Sequence, residues 1–340
     1  MRLVARPWTL ELKAPFTLAV GSRTTTPAVL VELHHGGLIG YGEVALPPYL
    51  GWTPSGVCEA LSRIDWADDA DPLNLDARLA TAAAAVGELP PALAAVDIAL
   101  HDLFGKVIGR PLYVLWGFDL ARIPATSLTL GLDTPEALRR KASQATDYRI
   151  LKLKLGGADD RALVQAVRDV TDRPLSVDAN QGWQDRVAAL DFIGWLAEQN
   201  VLFVEQPFSA ARVADHAWLT ERSPLPIIGD EAIRTLSDVV RAPGVYHGVN
   251  VKLAKCGGLR AAQAILTTAR ALGLRTLLGC MTETSCAISA AVQLSPLADW
   301  ADLDGAALIA HDPFEGARLV NGRMLPQPDP GIGAHPRTSQ

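Results

Sequence analysis

Between residues 117 and 309 the chain repeats one pattern: a short apolar run, a polar break, then a longer stretch with apolar residues at helical spacing. The short runs are IPATSLTL, ILKLKL, LSVDAN, LFVEQP, PIIGDE, GVNVKL, RTLLGC and WADLDG. Such runs read as strands of a parallel sheet, and segments such as DDRALVQAVRDVT, DRVAALDFIGWLAEQ and LRAAQAILTTARAL read as the helices between them. The strand-end positions 154, 178, 205, 230, 252, 280 and 302 are separated by 24, 27, 25, 22, 28 and 22 residues. That step is about one βα unit. Eight strands with seven intervening helices predict an α/β fold, a closed (β/α)7β TIM-like barrel rather than an open sheet.

Residues 1–116 follow a different grammar. TLEL and AVLVEL read as strands joined through the loop GSRTTTP, and GLIGYGEV continues the pattern, which predicts antiparallel pairing. From Thr53 the pattern turns helical, with an alanine-rich piece at Thr81 to Val86. A longer helix follows from Pro90, where Leu93, Val96, Leu100, Leu103 and Val107 recur at helical spacing and Gly109 marks the end. This predicts an N-terminal α+β capping domain over 1–116, completed by a Pro- and Gly-rich segment, about 310–340, that returns to it.

Composition narrows the function classes. The 340 residues are 49% hydrophobic and 20% charged, enough to fill a soluble core. A net charge of −6 without a basic run argues against nucleic acid. No apolar stretch approaches a membrane span, and MRLVARPWTLELKAPF lacks the apolar run of a signal peptide. Four scattered cysteines without a CxxC pair suit a reducing compartment. A cytoplasmic protein is expected, with homo-oligomers left open.

The strand ends carry the chemistry. In ILKLKL the alternation puts Lys152 and Lys154 on one face, and buried lysines need partners. Asp178, Glu205 and Asp230 end the next three strands and Lys252 ends the sixth, all at the barrel face where active sites form. One such carboxylate is readily explained as a helix cap or salt bridge; the same residue types on five consecutive strands are not. Three clustered carboxylates repel unless a cation sits between them. Oxygen-only ligation suits Mg²⁺, and the absence of histidine at these strand ends argues against zinc. The lysines of the second and sixth strands face each other across the barrel mouth. Beside a divalent cation their pKa values are expected to fall, which makes them bases for 1,1-proton transfer next to a carboxylate through an enediolate.

Three further expectations concern substrate. Asp302 and Asp304 are two apart and so face one way, into the site mouth; their alternative role is to bond nearby backbone or cap a turn. Arg23, in the GSRTTTP loop, offers a fork to an acidic substrate side chain, although loop arginines are more often solvated. Tyr49 and Trp52, in a second loop of the capping domain, are expected to wall the pocket.

The combination Lys152-x-Lys154, Asp178-Ala-Asn180, Glu205-Gln-Pro207, Asp230-Glu231 and Asn250-x-Lys252 followed by Cys256-Gly-Gly258 resembles the enolase superfamily in its muconate-lactonizing subgroup. The resemblance spans nearly the whole chain, including AVDIALHDLFGKVIGRPLYVLWG between the two units. It implies Mg²⁺ on Asp178, Glu205 and Asp230, with Lys154 and Lys252 as the acid/base pair. It further implies Lys152 at the substrate carboxylate and Asn180 beside the metal. Lysine bases with Mg²⁺ are a general pattern of that superfamily. Within the subgroup, Asp302-x-Asp304 is similar to the pair with which dipeptide epimerases bind the substrate ammonium. LLGCMTETSCAISAA resembles the same group, although Cys286 falls where some relatives carry a basic residue. The resemblance thus implies a small dipeptide substrate, with L-Ala-D/L-Glu epimerisation foremost. N-succinylamino acid racemase or o-succinylbenzoate synthase chemistry on the same scaffold is the alternative, and a non-catalytic peptide-binding protein is more remote.

Overall fold

Eight parallel strands stand side by side in chain order: β4 (Ser127–Leu130), β5 (Ile150–Lys154), β6 (Leu175–Asp178), β7 (Val201–Glu205), β8 (Ile227–Gly229), β9 (Gly248–Val251), β10 (Arg275–Gly279) and β11 (Trp300–Asp302). The computed structural model describes residues 1–18, 21–66 and 70–337. The sheet closes between its outer strands through the Thr126–Ala301 bridge, and Leu303 N–H donates to the Thr126 hydroxyl at 2.9 Å. Seven of these strands lie within the runs read from the sequence, and β7 starts one residue ahead of its run, at Val201.

Seven helical connections cover the barrel: α5 (Pro135–Gln144), α6 (Asp160–Arg168), α7 (Arg186–Ala197), α8 (Val213–Arg222), α9 (Leu236–Arg241), α11 (Leu259–Ala271) and α12 (Ser285–Val292), with a one-turn helix, α10 (Leu253–Cys256), ahead of α11. Thr134, Asp185, Thr235 and Thr284 cap the starts of α5, α7, α9 and α12 with their side chains, satisfying amide groups that the first helical turn leaves free. Leu151, Leu153, Leu155, Leu175 and Val177 face outward and share one core with Leu163, Val164 and Val167 of α6. Inside the barrel a separate apolar cluster forms from Phe203, Ile228 and Leu277, with Trp300 against it. Phe203, Ile228 and Trp300 lie two residues before Glu205, Asp230 and Asp302, so a dry plug sits one inward-facing layer beneath the charged one.

The N-terminal sheet is antiparallel: β1 (Arg2–Leu18), β2 (Gly21–His35) and β3 (Leu38–Ala45) in that order. It packs with α1 (Pro54–Ser62), α2 (Leu75–Val86) and α3 (Pro90–Ile108). Gly109 ends α3 in the left-handed conformation at φ 76°, as its position in the sequence predicts. Gly40 and Gly42 let β3 lie directly on α3, since a Cβ at either would strike the Ala99 or Ala95 carbonyl. A short helix, α4 (Leu112–Leu115), leads into the barrel.

One local expectation changes. GSRTTTP is not a loop: it belongs to β2, with Thr25 opposite Glu11 and Thr26 opposite Leu10. Three successive threonines favour an extended, pleated backbone, and Arg23 therefore projects from a strand. The C-terminal segment forms two small ladders, β12 (Phe314–Glu315) with β15 (His335–Pro336) and β13 (Arg318–Val320) with β14 (Arg323–Leu325), and among the described residues it adds no strand to the N-terminal sheet. It bonds to both units: Ile332 N–H donates to Asp102 of α3 at 2.9 Å, and Gln293, just past α12, donates to the Ile332 carbonyl at 3.0 Å. Among the described residues no helix is long and apolar enough to cross a membrane.

Glu43 of β3 joins the two units. Its buried carboxylate accepts from Thr284 N–H at 2.9 Å, from the Thr284 hydroxyl and from Ala287 N–H at 3.2 Å, at the start of α12. Burial pushes its pKa up to about 7, against the lowering effect of the Thr284 bonds. Folded protein then keeps a proton that the unfolded chain releases above pH 4.5, so this contribution to stability falls as pH rises to about 7 and is level beyond. Glu43→Gln should therefore gain on wild type by on the order of 1–3 kcal/mol between pH 5 and pH 8. Urea unfolding at the two pH values measures this, and parallel profiles would exclude a raised carboxyl at the junction.

Candidate active site

At the C-terminal ends of β6, β7 and β8, the carboxylates of Asp178, Glu205 and Asp230 are buried, and each offers an oxygen within 4.8 Å of those of the other two. Strand register brings them together, with Asp178 paired across to both Lys154 and Glu205. Three buried lysines meet them. Lys154 donates to Asp178 Oδ2 at 2.6 Å and Lys252 to Asp230 Oδ2 at 2.8 Å. Lys152 Nζ lies between, 2.7 Å from Glu205 Oε2, 3.3 Å from Asp178 Oδ2 and 2.7 Å from Asp302 Oδ2. Gly279 of β10 leaves the necessary room, because a Cβ there would meet the Asn250 amide and the Lys252 stem.

Each of the three carboxylates has its second oxygen tied to a different donor. Asp178 Oδ1 accepts from Asn180 N–H at 2.9 Å, Glu205 Oε1 from the Asn250 amide at 2.7 Å, and Asp230 Oδ1 from Lys255 Nζ. The strand ends turn sharply here, with Asn180 and Gln206 in the left-handed region at φ 42° and 37°. Gln206 then reaches across so that its Oε1 accepts from the Asp230 and Ala232 amides at 2.8 and 3.3 Å. The sequence reading assigned no part to Lys255, Gln206 or Asn250. Lys255 was discoverable: it follows Lys252 by three residues, on the same side of one helical turn, and a lysine in so apolar a stretch calls for a partner.

An oxygen-only set of three buried carboxylates, each with one oxygen left on the lysine side, fits Mg²⁺. The electrostatics of the chain alone run opposite to the expected fall in lysine pKa. Burial lowers Lys252, but the Asp230, Tyr49 and Glu205 charges outweigh it and hold the ammonium well above its usual value. Lys152 is raised in the same way by Asp302, Glu205 and Asp178, against the effect of burial. The expectation assumed carboxylates whose charge is spent on a divalent cation; here it falls on the lysines. Glu205 is pushed up to about 7 by burial and the Asp178 charge, whereas Asp230, despite burial, is held well below its usual value by Lys252 and Lys255.

Asp302 and Asp304 both line the same pocket as Lys152, Lys154 and Lys252. They also make the local bonds that were the alternative. Asp302 Oδ1 accepts from the Ser127 hydroxyl at 2.7 Å, and Asp304 Oδ2 accepts from Thr129 N–H at 2.6 Å. Burial raises Asp302, but the Lys152 charge outweighs it and keeps the group below its usual value. Asp304 is pushed up to about 7 by burial and the Asp302 charge.

From the capping side Phe16, Leu18, Arg23 and Tyr49 complete the wall. Arg23 donates to the hydroxyls of Thr26 at 3.1 Å and Thr282 at 3.4 Å and lies over the Phe16 ring. Among the described residues it forms no ion pair. Trp52 is not part of this wall; it packs into the apolar core of the N-terminal unit. Cys286 is also elsewhere, buried within α12, and Cys280, Met281 and Thr282 reach the pocket instead.

Comparison with known proteins agrees with this geometry. The model of the mandelate racemase/muconate lactonizing enzyme N-terminal domain matches residues 1–117, and that of the enolase C-terminal domain-like family matches residues 136–340. The chain is 46% identical over 334 residues to the L-Ala-D/L-Glu epimerase of Bacteroides thetaiotaomicron, covering 98% of this chain and 87% of that protein. Its fold superposes with a TM-score of 0.90 on the dipeptide epimerase from Enterococcus faecalis V583 complexed with Mg and the dipeptide L-Leu-L-Tyr, at 29% identity over 98% of both chains. An equal score, 0.90, relates it to the N-succinyl Arg/Lys racemase from Bacillus cereus ATCC 14579, at 25% identity over 99% of this chain and 96% of that one.

Proposed function

The chain belongs to the mandelate racemase/muconate lactonizing enzyme family of the enolase superfamily and is an isomerase of the racemase and epimerase type, and from that premise we propose that it epimerises dipeptides with an acidic C-terminal residue, L-Ala-D/L-Glu first among them. The observation that carries this is the charge content of one pocket. Asp302 and Asp304 line it from the barrel beside Lys152, Lys154 and Lys252, and Arg23, which forms no ion pair among the described residues, lines it from the capping unit. A dipeptide with a free ammonium and an acidic side chain offers a partner to the aspartates and to the arginine, by charge-assisted hydrogen bonds at each.

Asp178, Glu205 and Asp230 would hold Mg²⁺, which when bound supplies positive charge to offset that developing on the substrate carboxylate. Lys152, buried among Asp178, Glu205 and Asp302, presents an ammonium that steadies the same carboxylate as the enediolate forms. Lys154 and Lys252 reach the site from β5 and from the end of β9, on either side of that group. One, as the free amine, takes the α-proton; the other, as the ammonium, returns a proton to the opposite face, which inverts the centre. N-succinylamino acid racemisation uses the same lysines and is the second reading, supported by the likeness to the Bacillus cereus racemase. Its substrate brings no ammonium to Asp302 and Asp304.

Three outcomes follow from these roles. In D₂O with Mg²⁺, L-Ala-L-Glu should exchange its C-terminal α-proton and epimerise. Lys154→Ala and Lys252→Ala should each stop epimerisation, yet retain exchange of the one epimer that faces the surviving lysine. Near-native epimerisation by either variant would remove that lysine from the base pair.

Arg23→Met should cost kcat/KM for L-Ala-L-Glu about 30-fold or more, the worth of an unpaired buried charge, and leave L-Ala-L-Leu little changed. Equal losses on both substrates would show that Arg23 acts through the fold.

N-acetylation of the dipeptide should lower kcat/KM by about 30-fold to several thousand-fold, because aspartates without their cation cost roughly 2–5 kcal/mol. Equal or faster turnover of N-succinyl amino acids by the native enzyme would transfer the assignment to the racemase.

A further inference from the structure

The three carboxylates share a feature that proton transfer does not require. Each has one oxygen engaged by a donor other than the pocket lysines: the Asn180 N–H on Asp178, the Asn250 amide on Glu205, and Lys255 Nζ on Asp230. Their opposite oxygens face Lys152, Lys154 and Lys252. Lys255 is the most committed of the three donors. Its buried ammonium also donates to the Asp230 carbonyl at 2.5 Å and the Asn250 carbonyl at 3.4 Å, and it is not among the residues that line the pocket. Asp230 is thus gripped at its amide by Gln206, at its carbonyl and Oδ1 by Lys255, and at Oδ2 by Lys252.

A donor on the second oxygen takes one of its lone pairs and fixes the plane of the carboxylate, which favours offering a cation the other oxygen alone. Mg²⁺, small and octahedral, accepts single oxygens and keeps the rest of its positions for water or substrate, whereas Ca²⁺ prefers a larger shell of six to eight oxygens and often takes carboxylates through both. Resting on the assignment of Mg²⁺ to this cluster, we propose that Asn250 and Lys255, with the Asn180 amide, are positioning residues that select Mg²⁺ over Ca²⁺ by holding all three carboxylates to one-oxygen ligation. A merely structural role for Lys255, bracing the turn after β9, predicts something different. Its loss would then weaken the fold or change affinity for both ions together. Removing its positive charge would likewise raise affinity for both, since both ions carry the same charge. The ratio of the two affinities isolates the number of oxygens offered.

Calorimetric titration of the full-length protein with MgCl₂ and with CaCl₂, without substrate, measures that ratio directly. Wild type should bind Mg²⁺ more tightly. Lys255→Met, and independently Asn250→Ala, should each lower the ratio of Ca²⁺ to Mg²⁺ dissociation constants by about tenfold or more, within the 10–100-fold range typical of residues that orient ligands. Circular dichroism establishes folding, and if Lys255→Met is unfolded, Asn250→Ala decides alone because it frees Glu205 without touching the Lys255 contacts. Ratios within about twofold of wild type in the folded variants overturn the proposal while leaving Mg²⁺ binding in place. A wild-type protein that takes up neither ion overturns the metal assignment and this proposal with it.

Discussion

Buried charge, balanced at one end of a barrel, is the constraint to which the rest of the molecule answers. Asp178, Glu205, Asp230, Asp302 and Asp304 lie among Lys152, Lys154, Lys252 and Lys255, all of them buried. Taking such groups out of water costs several kcal/mol per ion, and mutual attraction offsets this only when the geometry is tight and the remaining lone pairs are met. Hence the density of bonds here: two or three partners for most charged groups, and neutral amides and hydroxyls, Asn180, Asn250, Ser127 and Thr129, placed where an unpaired oxygen would otherwise remain. Removing Lys152 leaves Glu205, and removing Asp230 leaves Lys252 and Lys255, buried without an ion-pair partner among the described residues. The same tension suits the cluster to a cation, because a divalent ion held there would take up carboxylate charge that otherwise rests on the lysines.

Such a cluster needs a rigid frame with an apolar remainder. The barrel supplies two separate apolar regions: the broad core between strands and helices, and the small plug of Phe203, Ile228, Leu277 and Trp300 inside. The plug keeps water from the lower side of the charged layer, and strand register then sets neighbouring groups opposite one another, as with Lys154, Asp178 and Glu205. The N-terminal unit closes the upper side. Glu43 binds it to the start of α12, next to the Cys280–Thr282 stretch that lines the pocket. Anchorage and pocket wall are thus neighbouring parts of the same junction.

Much of this was legible in the residues alone, because the barrel writes itself as a period. The strand-end spacing and the run of Lys, Asp, Glu, Asp and Lys at successive ends require no knowledge of packing. What failed depended on three-dimensional context. GSRTTTP has the glycine and proline of a turn, yet β1 lies alongside and Arg23, Thr25 and Thr26 pair with it, which moves Arg23 onto a strand. Trp52 was placed by neighbourhood in sequence, whereas packing into the apolar core of the N-terminal unit decides where its side chain goes. Lys255 escaped because its partner, Asp230, lies a whole βα unit away in sequence. The fall expected in lysine pKa has a different origin: its sign depends on where the carboxylate charge goes, which the arrangement of residues does not settle by itself.

The relatives leave the choice of substrate to the side chains of the pocket. An L-Ala-D/L-Glu epimerase, an epimerase structure holding L-Leu-L-Tyr and an N-succinyl Arg/Lys racemase share this scaffold nearly from end to end. A common frame therefore cannot decide among their substrates; side chains projecting into the pocket must. In this chain the groups that would handle the proton come from barrel strands, while Arg23, Phe16, Leu18 and Tyr49 come from the N-terminal unit. Barrel and N-terminal unit therefore contribute different parts of the wall, the first lysines and carboxylates in a fixed strand register and the second Arg23 with Phe16, Leu18 and Tyr49. Asp302 and Asp304 sit on the barrel, Asp302 paired with Lys152, and both line the pocket. A free ammonium bound there would compete with Lys152 for Asp302, so recognition of the substrate's amino end and the placement of the ammonium beside the reacting carboxylate are linked through one side chain.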